Sequence, residues 1–241
     1  MELHIYPQAE QACQAAALMI ADCLVRKPDA VLGLATGASP VPAYQELIRL
    51  YQRGVVSFSR ATSFNLDEYV GLEPEHPCSY HHFMREQLFD HVDMRPEAIH
   101  VPDGQAADLA LAAAAYDIAI DRTGGIDVQL LGIGRNGHIG FNEPGNCFLT
   151  ECHVVRLTES TRQANRHFFS SEEEVPREAV SLGVGPILRA KTVLLIATGK
   201  EKADAVRDAI QGPIDPAVQA SILQVHADVH FFLDEAAAAK L

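Results

Sequence analysis

The sequence predicts an α/β protein: an open, mostly parallel, doubly wound sheet of Rossmann-like type, in a single domain spanning residues 1–241. Three observations lead there. Short apolar runs alternate with stretches of helical periodicity along the whole chain. The three most unusual loops, residues 35–40, 67–71 and 134–145, each follow directly on an apolar run. No linker-like stretch and no internal repeat of 20–50 residues divides the chain.

In order, residues 3–6 read as a first strand and 8–26 as a helix with apolar residues at helical spacing. Residues 30–34 form a compact apolar run that ends in a Gly/Ser/Pro loop, and a helix over 42–53 follows. Residues 61–66 are the next strand, while 81–89 and 106–122 are helical. Residues 127–132 have the continuous apolar character of a buried strand. Further strands are predicted at 154–157 and 192–198, then a helix over 200–211 and a last strand at 229–233. The polar, mixed segment 158–185 is a candidate lid. Ligands of such sheets sit beyond the carboxyl ends of the strands, where all three unusual loops fall, so one site is expected.

Composition narrows the function. With 32 acidic and 19 basic residues the net charge is −13, which opposes nucleic-acid binding. An anionic ligand must then be held by a local cluster of donors. No run approaches the roughly 18 apolar residues that would span a bilayer, and the amino terminus lacks the pattern of a secretory signal. The five cysteines are odd in number and contain no CxxC pair, which fits free thiols in a reducing, cytoplasmic setting. Neither Cys147, Cys152 and His153 nor His76, His81 and His82 has zinc-ligand spacing, so no metal is expected.

Leu34-Ala35-Thr36-Gly37-Ala38-Ser39-Pro40 joins a strand to a helix. Gly37 allows a close turn, Thr36 and Ser39 offer hydroxyls, and the helix start presents N–H groups and a positive dipole end. This suits a phosphate; it equally suits a simple N-cap at Ser39. Asp67 and Glu68 lie at a strand end, where alternation points them in opposite directions. One of them can serve as a sheltered base, or both can be solvated turn acids.

Gly132-Ile133-Gly134-Arg135-Asn136-Gly137 matches G-x-G-x-x-G after a strand, and Glu159 falls near where a ribose-binding acid is sought. The dinucleotide reading fails on Gly140, Pro144 and Gly145, through which no long helix can run. The loop reads instead as an active-site wall. His138 and Glu143 can converge there as an oriented imidazole, with Asn136 to fix the ring or a sugar hydroxyl. Lys200 and Lys202 stand at a helix start, where cations oppose the dipole unless an anion binds.

Together these segments resemble the glucosamine-6-phosphate deaminase family (glucosamine/galactosamine-6-phosphate isomerases). The resemblance is carried by Leu32–Gly37, by Ser63-Phe64-Asn65-Leu66-Asp67-Glu68-Tyr69-Val70-Gly71-Leu72, by His76-Pro77 with Ser79-Tyr80, and by Gly132 through Pro144. Thr161-Arg162, Gly183-Val184-Gly185 and Gly199 with Lys202-Ala203 extend it. It implies an aldose–ketose isomerisation coupled to deamination, with no metal and no cofactor, giving fructose-6-phosphate and ammonium. It implies catalytic roles for Asp67, Asn136, His138 and Glu143. It also implies phosphate or substrate binding by Thr36, Gly37, Ser39, Gly137, Arg162, His167 and Lys202. His167 stands where many relatives carry Arg, with Arg166 beside it; histidine is a weaker, pH-dependent substitute for a guanidinium. Allosteric members carry a basic Arg-x-Lys where this chain has His153-Val154-Val155, so little activation by N-acetylglucosamine-6-phosphate is expected, from a monomer or a homo-oligomer. The nearest rival, a 6-phosphogluconolactonase-like hydrolase, typically shows Asp-Glu-Arg in place of Asp67-Glu68-Tyr69 and lacks Phe141-Asn142-Glu143-Pro144. A non-catalytic sugar-phosphate sensor would need a DNA-binding module, which this acidic chain does not show.

Overall fold

The computed structural model describes residues 1–166, 169, 171 and 174–241. Along the chain come β1 (Glu2–Tyr6), α1 (Ala9–Arg26), β2 (Val31–Leu34), α2 (Val41–Gln52), β3 (Thr62–Asn65), β4 (Asp67–Tyr69) and α3 (Tyr80–Gln87). Then follow β5 (Ile99–His100), α4 (Leu109–Arg122), β6 (Val128–Gly132), β7 (His153–Arg156), α5 (Glu159–Asn165) and β8 (Glu178–Ser181). The chain closes with α6 (Val184–Arg189), β9 (Thr192–Ala197), α7 (Ala203–Gln211) and β10 (Val229–Asp234).

Seven strands make one sheet in the order β1-β10-β9-β6-β2-β3-β5, and every pairing in it is parallel. Its inner strands β2, β6, β9 and β10 are short runs buried on both faces, as helix-covered parallel strands must be, whereas the edge strand β1 is largely exposed. Alternation sorts their side chains into two cores. Leu32, Leu34, Val128, Leu130, Leu194 and Ile196 pack with α1, α2 and α3. Val31, Leu131, Val193, Leu195 and Phe231 pack with α4, α6 and α7. The chain winds outward from β2 through β3 to β5, and in the other direction from β6 through β9 to β10. The order reverses between β2 and β6, and a crevice opens at such a switch point.

The doubly wound sheet expected from the sequence is therefore present, and the long helices and buried strands lie within a few residues of their predicted places. A second, three-stranded antiparallel sheet, β4-β8-β7, was not expected. It pairs Asp67 with Ser181 and Tyr69 with Ala179. The strand predicted near 154–157 belongs to this small sheet as β7, not to the main one. The helix predicted from residue 200 begins with a short 3-10 turn, Lys200–Lys202, before α7.

Candidate active site

Thr36, Gly37 and Ser39 leave β2, and Gly134, Asn136 and His138 leave β6, on the two sides of the switch point. They share with Asp67, Tyr80 and Lys202 the lining of one cavity of about 770 Å³, within the roughly 300–1,000 Å³ usual for small-ligand sites.

The first loop is fixed from below. The fully buried Tyr44 donates its hydroxyl to the Ala35 carbonyl at 2.5 Å. Gly37 takes a φ of 91°, which favours glycine. Ser39 does not cap α2: the cap position is Pro40, and no side chain bonds there. Its N-cap alternative thus falls, and Ser39 lines the cavity instead. The helix start is a poorer donor than expected, because Pro42 has no N–H and the Val41 N–H reaches the Ala38 carbonyl at 3.4 Å. Anion binding at this loop therefore falls mainly to hydroxyls, the loop backbone and nearby cations.

The two acids of β4 divide their work as alternation requires. Glu68 turns away from the cavity and accepts backbone N–H bonds from Tyr69, Tyr80 and His81 at 2.8, 2.9 and 2.9 Å. It thereby seats the first turn of α3. Asp67 faces the cavity, where the Thr36 hydroxyl donates to it at 3.4 Å. Burial, with the Glu68 carboxylate in support, pushes the Asp67 carboxyl up to about 8, against the Thr36 bond. Both are thus buried groups, and the solvated-turn reading of the pair is overturned.

The third loop carries the imidazole. The His138 ring lies against Gly134, where a Cβ would come within 2.5 Å of the ring. Only glycine lets the ring lie there. His138 Nδ1 stands 3.7 Å from Glu143 Oε2, longer than a hydrogen bond. Such contacts often tighten when ligand binds. Glu143 itself accepts from Asn136 Nδ2 at 3.1 Å and from the Thr158 hydroxyl at 3.2 Å. Burial alone would raise its carboxyl, but His138, Thr161 and Asn136 together hold it at about 2, so it is a fixed anion. Asn136 serves this carboxylate and, through Oδ1, the His138 backbone N–H at 3.3 Å. In this structure its bonds go there and not to the imidazole ring.

Lys202, from the turn before α7, also lines the cavity. Its Nζ donates to the Ile133 carbonyl at 2.7 Å, and burial lowers its pKa, with Arg135 adding to the effect and Glu201 opposing it. Gly199, before this lysine, is held by two bonds from its N–H to the Asp234 carboxylate, at 3.1 and 3.0 Å.

Three expected site residues lie off the lining. Glu143 stands behind His138, and the Gly137 carbonyl accepts from Ala220 N–H at 2.9 Å. Arg162 pairs with Glu159 at 3.1 Å and reaches the Val175 carbonyl at 3.4 Å. His167 lies outside the described residues. Tyr80 was missed as a site residue. It stacks on Phe141, bonds the Tyr69 hydroxyl at 3.2 Å and lines the cavity beside Asp67. Its only sequence signal was its place in the Ser79-Tyr80 pair that helps carry the family resemblance.

A hydroxyl-rich loop and proton-transfer groups around one mouth, at the switch point of a parallel sheet, define an α/β enzyme acting on a small polar ligand. The chain belongs to the Glucosamine-6-phosphate isomerases/6-phosphogluconolactonase family, which matches residues 7–231. It is 53% identical, over 94% of its length and 91% of the relative's, to the glucosamine-6-phosphate deaminase of Clostridioides difficile (strain 630). It is 49% identical to glucosamine-6-phosphate deaminase 2 of Bacillus subtilis (strain 168), covering 100% of this chain and 98% of that one. A solved monomeric glucosamine-6-phosphate deaminase superposes with a TM-score of 0.97 at 46% identity, covering 100% of both chains. The 6-phosphogluconolactonase of Trypanosoma brucei shares the fold, with a TM-score of 0.77 at 20% identity over 100% of this chain and 98% of that one.

Proposed function

We propose that this chain converts glucosamine-6-phosphate and water to fructose-6-phosphate and ammonium. The observation that carries the proposal is the meeting of Asp67 and His138 in one cavity with the Thr36–Ser39 loop and Lys202, in a chain 53% identical to a deaminase of that substrate. The phosphate sits between the loop hydroxyls and Lys202. His138, held by Glu143, takes the O1 proton of the pyranose and delivers one to O5, which opens the ring. Asp67 removes the C2 proton, giving an enolamine, and returns a proton to C1. The C2 iminium so formed adds water and expels ammonia, leaving the ketone.

The raised pKa of Asp67 suits this chemistry. The C2 ammonium of the substrate favours the ionised carboxylate when it binds, so the base forms where it is needed. Of the candidate lid 158–185, residues 167, 168, 170, 172 and 173 lie outside the described residues, and Thr161 and Gln163 themselves line the cavity. The protein acts in the cytoplasm as a monomer. Among the described residues no helix is long and apolar enough to cross a membrane. The 46% identical structural relative is described as monomeric.

The deciding experiment gives purified protein glucosamine-6-phosphate and assays ammonium and fructose-6-phosphate together. Equimolar release of both is expected. Release of neither, or hydrolysis of 6-phosphogluconolactone at a comparable rate, overturns the proposal.

A further inference from the structure

At the amino ends of the strands, opposite the cavity, β1 and β10 bring together three side chains that the mechanism does not use. In the parallel register Glu2 faces His230 and His4 faces Phe232, so Glu2 and His4 share one face of β1. His4 Nε2 lies 3.0 Å from His230 Nδ1. Glu2 Oε2 lies 3.8 Å from the first of these nitrogens and 3.4 Å from the second. A tetrahedral zinc ion with bonds of about 2.0–2.1 Å holds its ligand atoms about 3.3 Å apart. The three observed distances bracket that value.

The surroundings are those of a built site. His230 Nε2 bonds Asp228 Oδ1 at 3.0 Å, and the Thr192 hydroxyl in turn holds Asp228 at 2.7 Å. With its Nε2 proton on Asp228, His230 presents a lone pair at Nδ1. A carboxylate behind a ligating imidazole is the usual support of a metal-bound histidine. His4 is stacked on Phe232 with ring centroids 4.8 Å apart, which fixes its plane. His230 is nearly buried, whereas the Glu2 side chain is 66% exposed, so an ion can enter from solvent.

We propose that Glu2, His4 and His230 form a site for a divalent transition-metal ion of the zinc class, with water as the fourth ligand. Binding replaces the bond between the two imidazoles: His4 moves its proton to Nδ1 and turns an Nε2 lone pair to the ion. The ion then clips the edge strand β1 to β10. Nothing in the sequence marked this group, because its members stand at positions 2, 4 and 230.

The test titrates zinc into the full chain in competition with a chromophoric chelator. One equivalent is expected to bind the native protein at least 10-fold more tightly than Glu2→Ala or His4→Gln. Asp228→Asn is expected to weaken binding by about 10-fold or more. Cobalt in place of zinc should give the visible absorption of a tetrahedral site. The exposed Glu2→Ala variant guards against misfolding, and turnover of glucosamine-6-phosphate should be the same in all of these proteins and with or without one equivalent of zinc. Equal zinc affinity in native and His4→Gln protein, or no uptake by the native chain, overturns the proposal. Neither result depends on which sugar phosphate the cavity turns over.

Discussion

At the scale of the residue, Asp67 sets activity against stability. Its carboxyl titrates near 8 in the fold, against 3.8 for the ordinary group. The folded state therefore holds a proton that the unfolded chain gives up between those values. The stability linked to that proton is full at low pH and is lost as pH rises through the window up to about 8. Asp67→Asn removes the penalty, because the amide stays neutral and can keep the Thr36 bond. We expect this variant to lose at least about 10²-fold in kcat, to bind substrate still, and to melt several degrees higher than native protein at pH 8. At pH 5 the difference should be much smaller; equal gains at both values would refute the burial argument. The same carboxyl predicts a kinetic profile. A base must be ionised, so kcat/KM should climb with pH and level off above about 8. Thr36→Val, which removes the bond that favours the carboxylate, should move that limb higher still. Lys202→Ala belongs at this scale too: the loss of one partly buried cation should raise KM about 10-fold or more with a smaller change in kcat, as expected for phosphate binding in the ground state.

At the scale of the element, the small antiparallel sheet ties Asp67 to the imidazole loop. β4 carries Asp67 and pairs with β8, where Ser181 lies opposite it. The Ser181 hydroxyl accepts the buried Phe141 N–H at 3.0 Å, and Asn142 Nδ2 donates to the Leu182 carbonyl at 2.8 Å. The loop bearing His138 and Glu143 is thus hung from the strand beside Asp67. Ser181→Ala strands a buried N–H, at a cost of about 1–3 kcal/mol. We expect a lower melting temperature and a fall in kcat, although Ser181 is not a lining residue. An unchanged kcat in a destabilised variant would show that the two walls are positioned independently. This sheet was also the least legible part of the chain. Long helices and strands buried on both faces declare themselves by period and apolar content, as α1, β6 and β9 do. β4 is three residues long and follows β3 after a single leucine, so its acids read as the end of one strand. β8 is Glu-Ala-Val-Ser inside a polar stretch, and only its partners make it a strand. Asp67, His138 and Lys202 were legible because acid, imidazole and ammonium groups at strand ends need a chemical reason. Tyr80 was not, since an aromatic at a helix start reads equally well as core.

At the scale of the whole molecule, the question is whether one cavity ever senses another. Homotropic cooperativity requires at least two binding sites coupled through an assembly with two states. Here the described lining residues gather around one switch point of this chain. The position at which allosteric members of the resembled family carry Arg-x-Lys is occupied by β7, His153–Arg156, whose first three residues are His-Val-Val. The Val154 and Val155 side chains are partly buried against the two neighbouring clusters, and they offer no cation to an anionic effector. The net charge of −13 also resists self-association in dilute salt. We therefore expect light scattering to give a mass near the 26.2 kDa of the single chain. The saturation curve for glucosamine-6-phosphate should be hyperbolic, and N-acetylglucosamine-6-phosphate should leave its midpoint where it was, apart from competition at high concentration. A sigmoidal curve that the effector straightens would mean that a second state exists and that cations other than at positions 153–155 read the effector, and the monomeric reading would fall with it.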